Sequence, residues 1–163
     1  MLAPESDLAA NMTKTKELDS PLHSMGFVFE DLTPKRVTGH MEVSPKCIQP
    51  FRVLHGGVSA LIAEGMASIG AHMAAGYQRV AGIHLEISHH KTATLGDVIH
   101  GEAVPINVGK TIQVWDVRLF KVDSSKKNER LLVASSKVTL LCNLPVPEHS
   151  RDAAVILRKH ARL

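Results

Sequence analysis

The sequence predicts an α+β domain in which one antiparallel sheet encloses a single long helix. Three observations carry that prediction. Residues 58–75 are helix-forming and apolar almost all round, so this helix must be wrapped by other structure rather than lie on a surface. Four strand-like runs follow with no helix between them, an order that cannot supply the crossovers parallel strands require. The 163 residues are 44% hydrophobic and 21% charged, enough for one ordinary core and too few for two.

In chain order, residues 1–20 are polar and carry Glu5 and Asp7 with no apolar segment; they read as a disordered leader rather than a secretory signal. Residues 26–32 and 36–43 read as two strands divided by Thr33-Pro34, with Phe27, Phe29, Val37, Met41 and Val43 facing inward. Ser44-Pro45 ends the second, and residues 46–54 approach the turn His55-Gly56-Gly57. In the helix, Leu61, Ile62, Met66, Ile69 and Met73 recur at helical spacing, with Ala or Gly in most gaps. The later strands are 80–89, 98–108, 111–122 and 130–143. In the first of them Ile83, Leu85 and Ile87 alternate with His84, Glu86 and Ser88. Gly109-Lys110 suits a tight connection, and 123–129 a polar hairpin tip. Ser150, an early Asp152 and a late Arg158-Lys159 mark a short C-terminal helix. The expected organisation is therefore a leader (1–20), a core domain (21–147) and a helical tail (148–163).

Composition narrows the function. Lys and Arg number 19 against 16 Asp and Glu, and they are scattered, whereas a nucleic-acid surface needs a clustered basic face. Ten histidines include no HExxH pair. Two cysteines, Cys47 and Cys142, make neither a disulfide framework nor a four-cysteine metal site, which fits a reducing compartment. The most apolar stretch contains Glu64 and His72 and falls short of a membrane span.

Chemistry concentrates at the helix. Two glycines at a helix start let a ligand approach the backbone, where free N–H groups and the helix dipole favour an oxygen that becomes negative. Glu64 is a carboxylate in a helix expected to be buried, so it needs a partner, a raised pKa or a chemical task. Ser68, four residues on, shares its face. Gly56 and Glu64 are eight residues apart, about 12 Å along a helix at roughly 1.5 Å per residue. Groups that act on one carbonyl must each lie within about 3 Å of their targets. If both act on one substrate, they come from different chains, and the site sits at a subunit interface.

The run from Leu54 to Glu64, with its His55-Gly56-Gly57 turn, resembles the signature of hotdog-fold acyl-CoA thioesterases of the branch with a helix-borne glutamate. The likeness spans residues 21–147, including Val80-Ala81-Gly82-Ile83, Gly109-Lys110-Thr111 and Gln113-Val114-Trp115. Within that family the chain is most similar to the plant dihydroxynaphthoyl-CoA thioesterases of phylloquinone synthesis, which are peroxisomal. The resemblance implies a hotdog fold, pairing into dimers and then tetramers, and hydrolysis of an aromatic acyl-CoA. A general fatty acyl-CoA thioesterase and a non-catalytic acyl-CoA-binding module are the alternatives.

Carried over by position, the resemblance implies that the Gly56 N–H polarises the thioester carbonyl, helped by His55 and Gln49. Glu64 is nucleophile or general base, and Ser68 orients Glu64 or its water. CoA would be held by Gly57, Gly82, Ser88, His89, His90, Lys91, Gly109, Lys110 and Thr111, with Lys91 and Lys110 serving the phosphates where bacterial relatives often carry Arg. No metal or cofactor is implied. The ending Ala161-Arg162-Leu163 resembles the small-basic-Leu address read by the peroxisomal import receptor, so a peroxisomal location is expected.

Overall fold

The computed structural model describes residues 5–123, 125–126 and 129–162. Its elements run α1 (Glu5–Leu18), α2 (Ser20–Met25), β1 (Val28–Thr33), β2 (Arg36–Glu42), α3 (Gly56–Ala74), β3 (Arg79–His89), β4 (Val98–Val108), β5 (Ile112–Asp123), β6 (Glu129–Leu144), a 3₁₀ turn (Glu148–Ser150) and α4 (Ala153–His160). The six strands form one sheet in the order β1-β2-β4-β5-β6-β3, and every pairing is antiparallel.

α3 lies against one face of this sheet. Its Ile62, Met66, Ala67 and Ala71 are buried together with Trp115, Val117, Leu119 and Leu140 of the central strands. Full burial of a side chain such as Ile62 or Met66 stabilises the fold by about 1.5–3 kcal/mol, which outweighs the roughly 1 kcal/mol that a glycine costs in a helix. Gly70 is there for contact: a Cβ on it would stand 2.5 Å from the Trp115 ring. Trp115 Nε1–H donates to Gln113 Oε1, and Gln113 Nε2–H donates to the Ala71 carbonyl, so a buried polar chain ties the sheet to the helix.

Four sequence expectations are corrected. The stretch expected to be a disordered leader is α1 from Glu5 onward, and Met1–Pro4 lie outside the described residues. α1 is anchored by polar groups: the buried Thr15 hydroxyl accepts the Phe29 N–H at 2.8 Å, and Lys14 Nζ donates to the Glu30 carbonyl. The strand expected from Gly26 begins at Val28, because Gly26 adopts a left-handed φ of 91° as the C-cap of α2. Ile83, expected to face inward with Leu85 and Ile87, is 57% exposed, whereas the other two pack on the core. The ladder between β3 and β6 slips between Gly82 and His84, which breaks the alternation there. At the C-terminus the helix begins at Ala153, without the side-chain cap expected of Ser150.

The sheet's two edges differ. β1 is covered by α1, and Arg162 N–H donates to the Leu32 carbonyl. Among the described residues β3 pairs only with β6, which leaves its outer side unpaired over eleven residues.

Candidate active site

α3 begins at a cap built by its own histidine. His55 Nδ1 accepts the Gly57 N–H at 2.9 Å, so a neutral ring carries its proton on Nε2 and presents that donor outward. The Gly56 N–H, one residue earlier, donates to no group among the described residues and is free to bind an oxygen. Gly56 sits against the His89 ring, where an added Cβ would come within 3.1 Å of Nε2. The two share a cleft with His90 and Lys91. Gln49 shapes the approach: its Oε1 accepts the Phe51 N–H at 2.6 Å, and its own N–H donates to the Val53 carbonyl.

Two turns further along α3, Glu64 opens onto a separate cleft of about 430 Å³, shared with Ser68. The walls are mostly apolar, formed by Leu61, Ile69 and Val80 with Val146, Ala153 and Ala154 from the C-terminal segment. Burial pushes the Glu64 carboxyl above the ordinary glutamate range, and the carboxyl has no ion pair or hydrogen bond among the described residues. A desolvated, unpartnered carboxylate is a strong base or nucleophile. Ser68 lies one turn on, without a hydrogen bond to Glu64.

The expected CoA-binding residues separate within one chain. Gly82 belongs to the Glu64 end, since a Cβ on it would overlap a carboxylate oxygen of Glu64. The Gly57 N–H is already taken by His55. His89, His90 and Lys91 lie at the far end of β3, where His90 Nε2 pairs with Ser135 Oγ at 2.8 Å. Ser88 lines a small groove with Glu86 and Asp116. Gly109, Lys110 and Thr111 form the β4–β5 turn: the Gly109 N–H donates to the Ile112 carbonyl, and the Lys110 and Thr111 carbonyls accept from Asn143 Nδ2 and the Cys142 N–H. Because Ile112 pairs with Leu141 and Leu141 with Ala81, that turn lies at the Gly82 end. One chain therefore holds Gly56 with Lys91 at one end, and Glu64 with Lys110 at the other.

Sequence reading missed the terminal wall of the Glu64 cleft, where Leu18, Asp19 and Pro21 stand opposite the start of α4. The signal was present, since Asp19 followed by Pro21 is a cap with proline in the first turn. Among the described residues no group of three or more His, Cys, Asp or Glu is arranged to hold a metal ion.

A sheet-wrapped helix that carries both a free first-turn N–H and a desolvated carboxylate defines a hotdog thioester hydrolase. The chain belongs to that family: residues 51–127 match the Thioesterase superfamily. It is 52% identical, over 87% of its length and 91% of the relative's, to 1,4-dihydroxy-2-naphthoyl-CoA thioesterase 2 of Arabidopsis thaliana. It is 32% identical, over 56% of its length and 68% of the relative's, to 1,4-dihydroxy-2-naphthoyl-CoA hydrolase of Escherichia coli. Among solved structures it resembles AziG of S. sahachiroi, with 27% identity, a TM-score of 0.69, and 78% of this chain and 99% of that one covered. A thioesterase of Haemophilus influenzae matches with 25% identity, a TM-score of 0.67, and 86% and 92% covered.

Proposed function

We propose that the protein hydrolyses 1,4-dihydroxy-2-naphthoyl-CoA to 1,4-dihydroxy-2-naphthoate and CoA, a step of phylloquinone synthesis. The observation that carries the reading is the 52% identity, over 87% of the chain, to a relative of that name. The thioester carbonyl oxygen accepts the Gly56 N–H, whose helix-start position favours the oxyanion. Glu64 then acts in one of two ways. As general base it takes a proton from water while the hydroxide adds to the carbonyl carbon; as nucleophile it adds itself, and water later splits the anhydride. In both cases the C–S bond breaks, and the CoA sulfur leaves as thiolate and is protonated. His55 and Gln49 position the carbonyl end, and Ser68 orients Glu64 or its water.

The reaction centre is shared between two chains. Gly56 contacts His89 and Glu64 contacts Gly82, seven positions apart on the bare edge strand. Antiparallel pairing of two β3 edges about a two-fold axis can set Gly82 opposite the partner's His89, which brings Glu64 of one chain to Gly56 of the other. The same pairing assembles the expected CoA contacts from the two ends. Two such dimers form the proposed tetramer. The proposed location is the peroxisome, on the strength of Ala161-Arg162-Leu163, of which Leu163 lies outside the described residues. Retention in the cytosol of a fluorescent fusion with this tripeptide free at its end would remove the location and its import receptor.

Free-thiol release tests the activity, across dihydroxynaphthoyl-CoA, benzoyl-CoA and a fatty acyl-CoA series. The aromatic substrate should be preferred, and Glu64→Gln should cost about 10²–10⁴-fold in turnover with the fold retained. A fatty-acyl optimum would replace the substrate assignment. No release from any substrate would leave an acyl-CoA-binding module.

A further inference from the structure

Asp19 sits between α1 and α2, and its two carboxylate oxygens have different surroundings. Oδ1 accepts the Leu22 N–H at 2.9 Å and caps α2. Oδ2 has no hydrogen-bond partner among the described residues. It lies 3.0 Å from where a Cβ on Gly65 would stand, directly over the turn of α3 that carries Glu64. Asp19 lines the same cleft as Glu64 and Ser68, in a wall otherwise made largely of aliphatic side chains. Burial pushes its carboxyl upward, against the opposing effect of the Leu22 N–H. A carboxylate oxygen left unpaired at the wall of a mostly apolar cleft is costly unless something in the cleft donates to it.

We propose that Asp19 Oδ2 accepts a hydrogen bond from a hydroxyl on the aromatic ring of the acyl group, and so selects hydroxylated aryl-CoA over plain aryl-CoA. The inference rests on the aromatic acyl-CoA reading above. Glu64 lies in the middle of α3 against Gly82 of β3 and serves the thioester end; Asp19 stands on the terminal wall of the same cleft and meets the ring. An aliphatic chain, or a ring without hydroxyls, offers no donor and leaves the carboxylate unpaired, which is how a polar site rejects an analogue lacking its partner. The apolar walls accept any flat ring; of the two carboxylates that line the cleft, Glu64 serves the thioester end and Asp19 is left to meet a donor on the ring. Asp19 is a specificity residue and takes no part in the bond changes.

The test compares kcat/KM for 1,4-dihydroxy-2-naphthoyl-CoA and 2-naphthoyl-CoA in the full-length assembled enzyme and in its Asp19→Asn and Asp19→Ser variants. Asn and Ser both preserve a cap on α2, while neither offers a carboxylate oxygen to the cleft. The preference for the hydroxylated substrate should fall about tenfold or more in both variants, with 2-naphthoyl-CoA turned over as before or faster. An unchanged preference in both variants would overturn the inference and leave the aromatic reading standing. So would equal losses on the two substrates, which would reduce Asp19 to a structural cap. A wild-type enzyme that prefers fatty acyl-CoA over both naphthoyl substrates would remove the aromatic reading and this inference with it.

Discussion

The two edges of the sheet are treated in opposite ways. At β1 the chain covers its own edge: Thr15 takes the Phe29 N–H, Lys14 takes the Glu30 carbonyl, and the tail returns so that Arg162 donates to Leu32. At β3 eleven residues are left open, with Ile83 exposed among them. A bare, long edge invites pairing with another chain, and proteins that gain nothing from such pairing blunt it. Covering one edge with both terminal segments and leaving the other bare supports the proposed association through β3, the strand that borders both clefts. Closure of β1 serves stability, and under the proposed pairing the openness of β3 serves function.

That contrast can be broken from either side. The largest effect should come from the open edge: Ile83→Lys places a charge on the pairing strand, splits the assembly in sedimentation, and lowers turnover by about 10²-fold or more, because each centre loses one half. A monomeric variant with full activity would sink the shared centre.

A sharper version mixes two inactive chains, Glu64→Gln and Gly56→Val. In a two-chain site a mixed dimer contains one centre with both groups intact, so equal mixtures that exchange subunits recover about a quarter of wild-type turnover. Sites confined to single chains would recover none.

The Glu64 end should also show itself in pH dependence. Its carboxyl is raised by burial, so the acid limb of kcat/KM should lie above the range of an exposed glutamate and disappear in Glu64→Gln. The linked stability has a definite sign. A carboxyl raised in the folded state favours folding below its unfolded pKa, and that contribution is lost as pH rises through the folded value. Glu64→Gln should therefore melt higher than wild type at neutral pH, with the gap closing in acid.

The smallest functional effect belongs to the closed edge. Thr15→Val leaves the Phe29 N–H without its acceptor and should cost about 1–2 kcal/mol in denaturant unfolding, with turnover and assembly unchanged.

What the sequence made legible follows from the kind of signal each region carries. α3 and the four strands after it are written in apolar periodicity, so their order was readable to within a residue or two, as was the separation of Gly56 from Glu64. α1 is held by Thr15 and Lys14, buried polar residues in a helix without an apolar stripe, so no hydrophobic pattern could reveal it. Gly82 was grouped with CoA residues, because its closeness to Glu64 depends on how α3 crosses β3, which no local spacing encodes. Asp19 escaped notice for the same reason: its place in the cleft depends on both terminal segments folding back on the core.

The buried chain from Trp115 through Gln113 to the Ala71 carbonyl has a consequence for timing and fidelity. It clamps α3 near its C-terminal end, so the helix behaves as a rod whose free end carries Gly56 and whose middle carries Glu64. In the proposed paired assembly that rod would reach into two reaction centres at once. A slip of one helix would disturb the oxyanion donor of one centre and the carboxylate of the other together, so the two centres of a dimer should lose or keep their alignment as a unit, with the indole ring as their common stop.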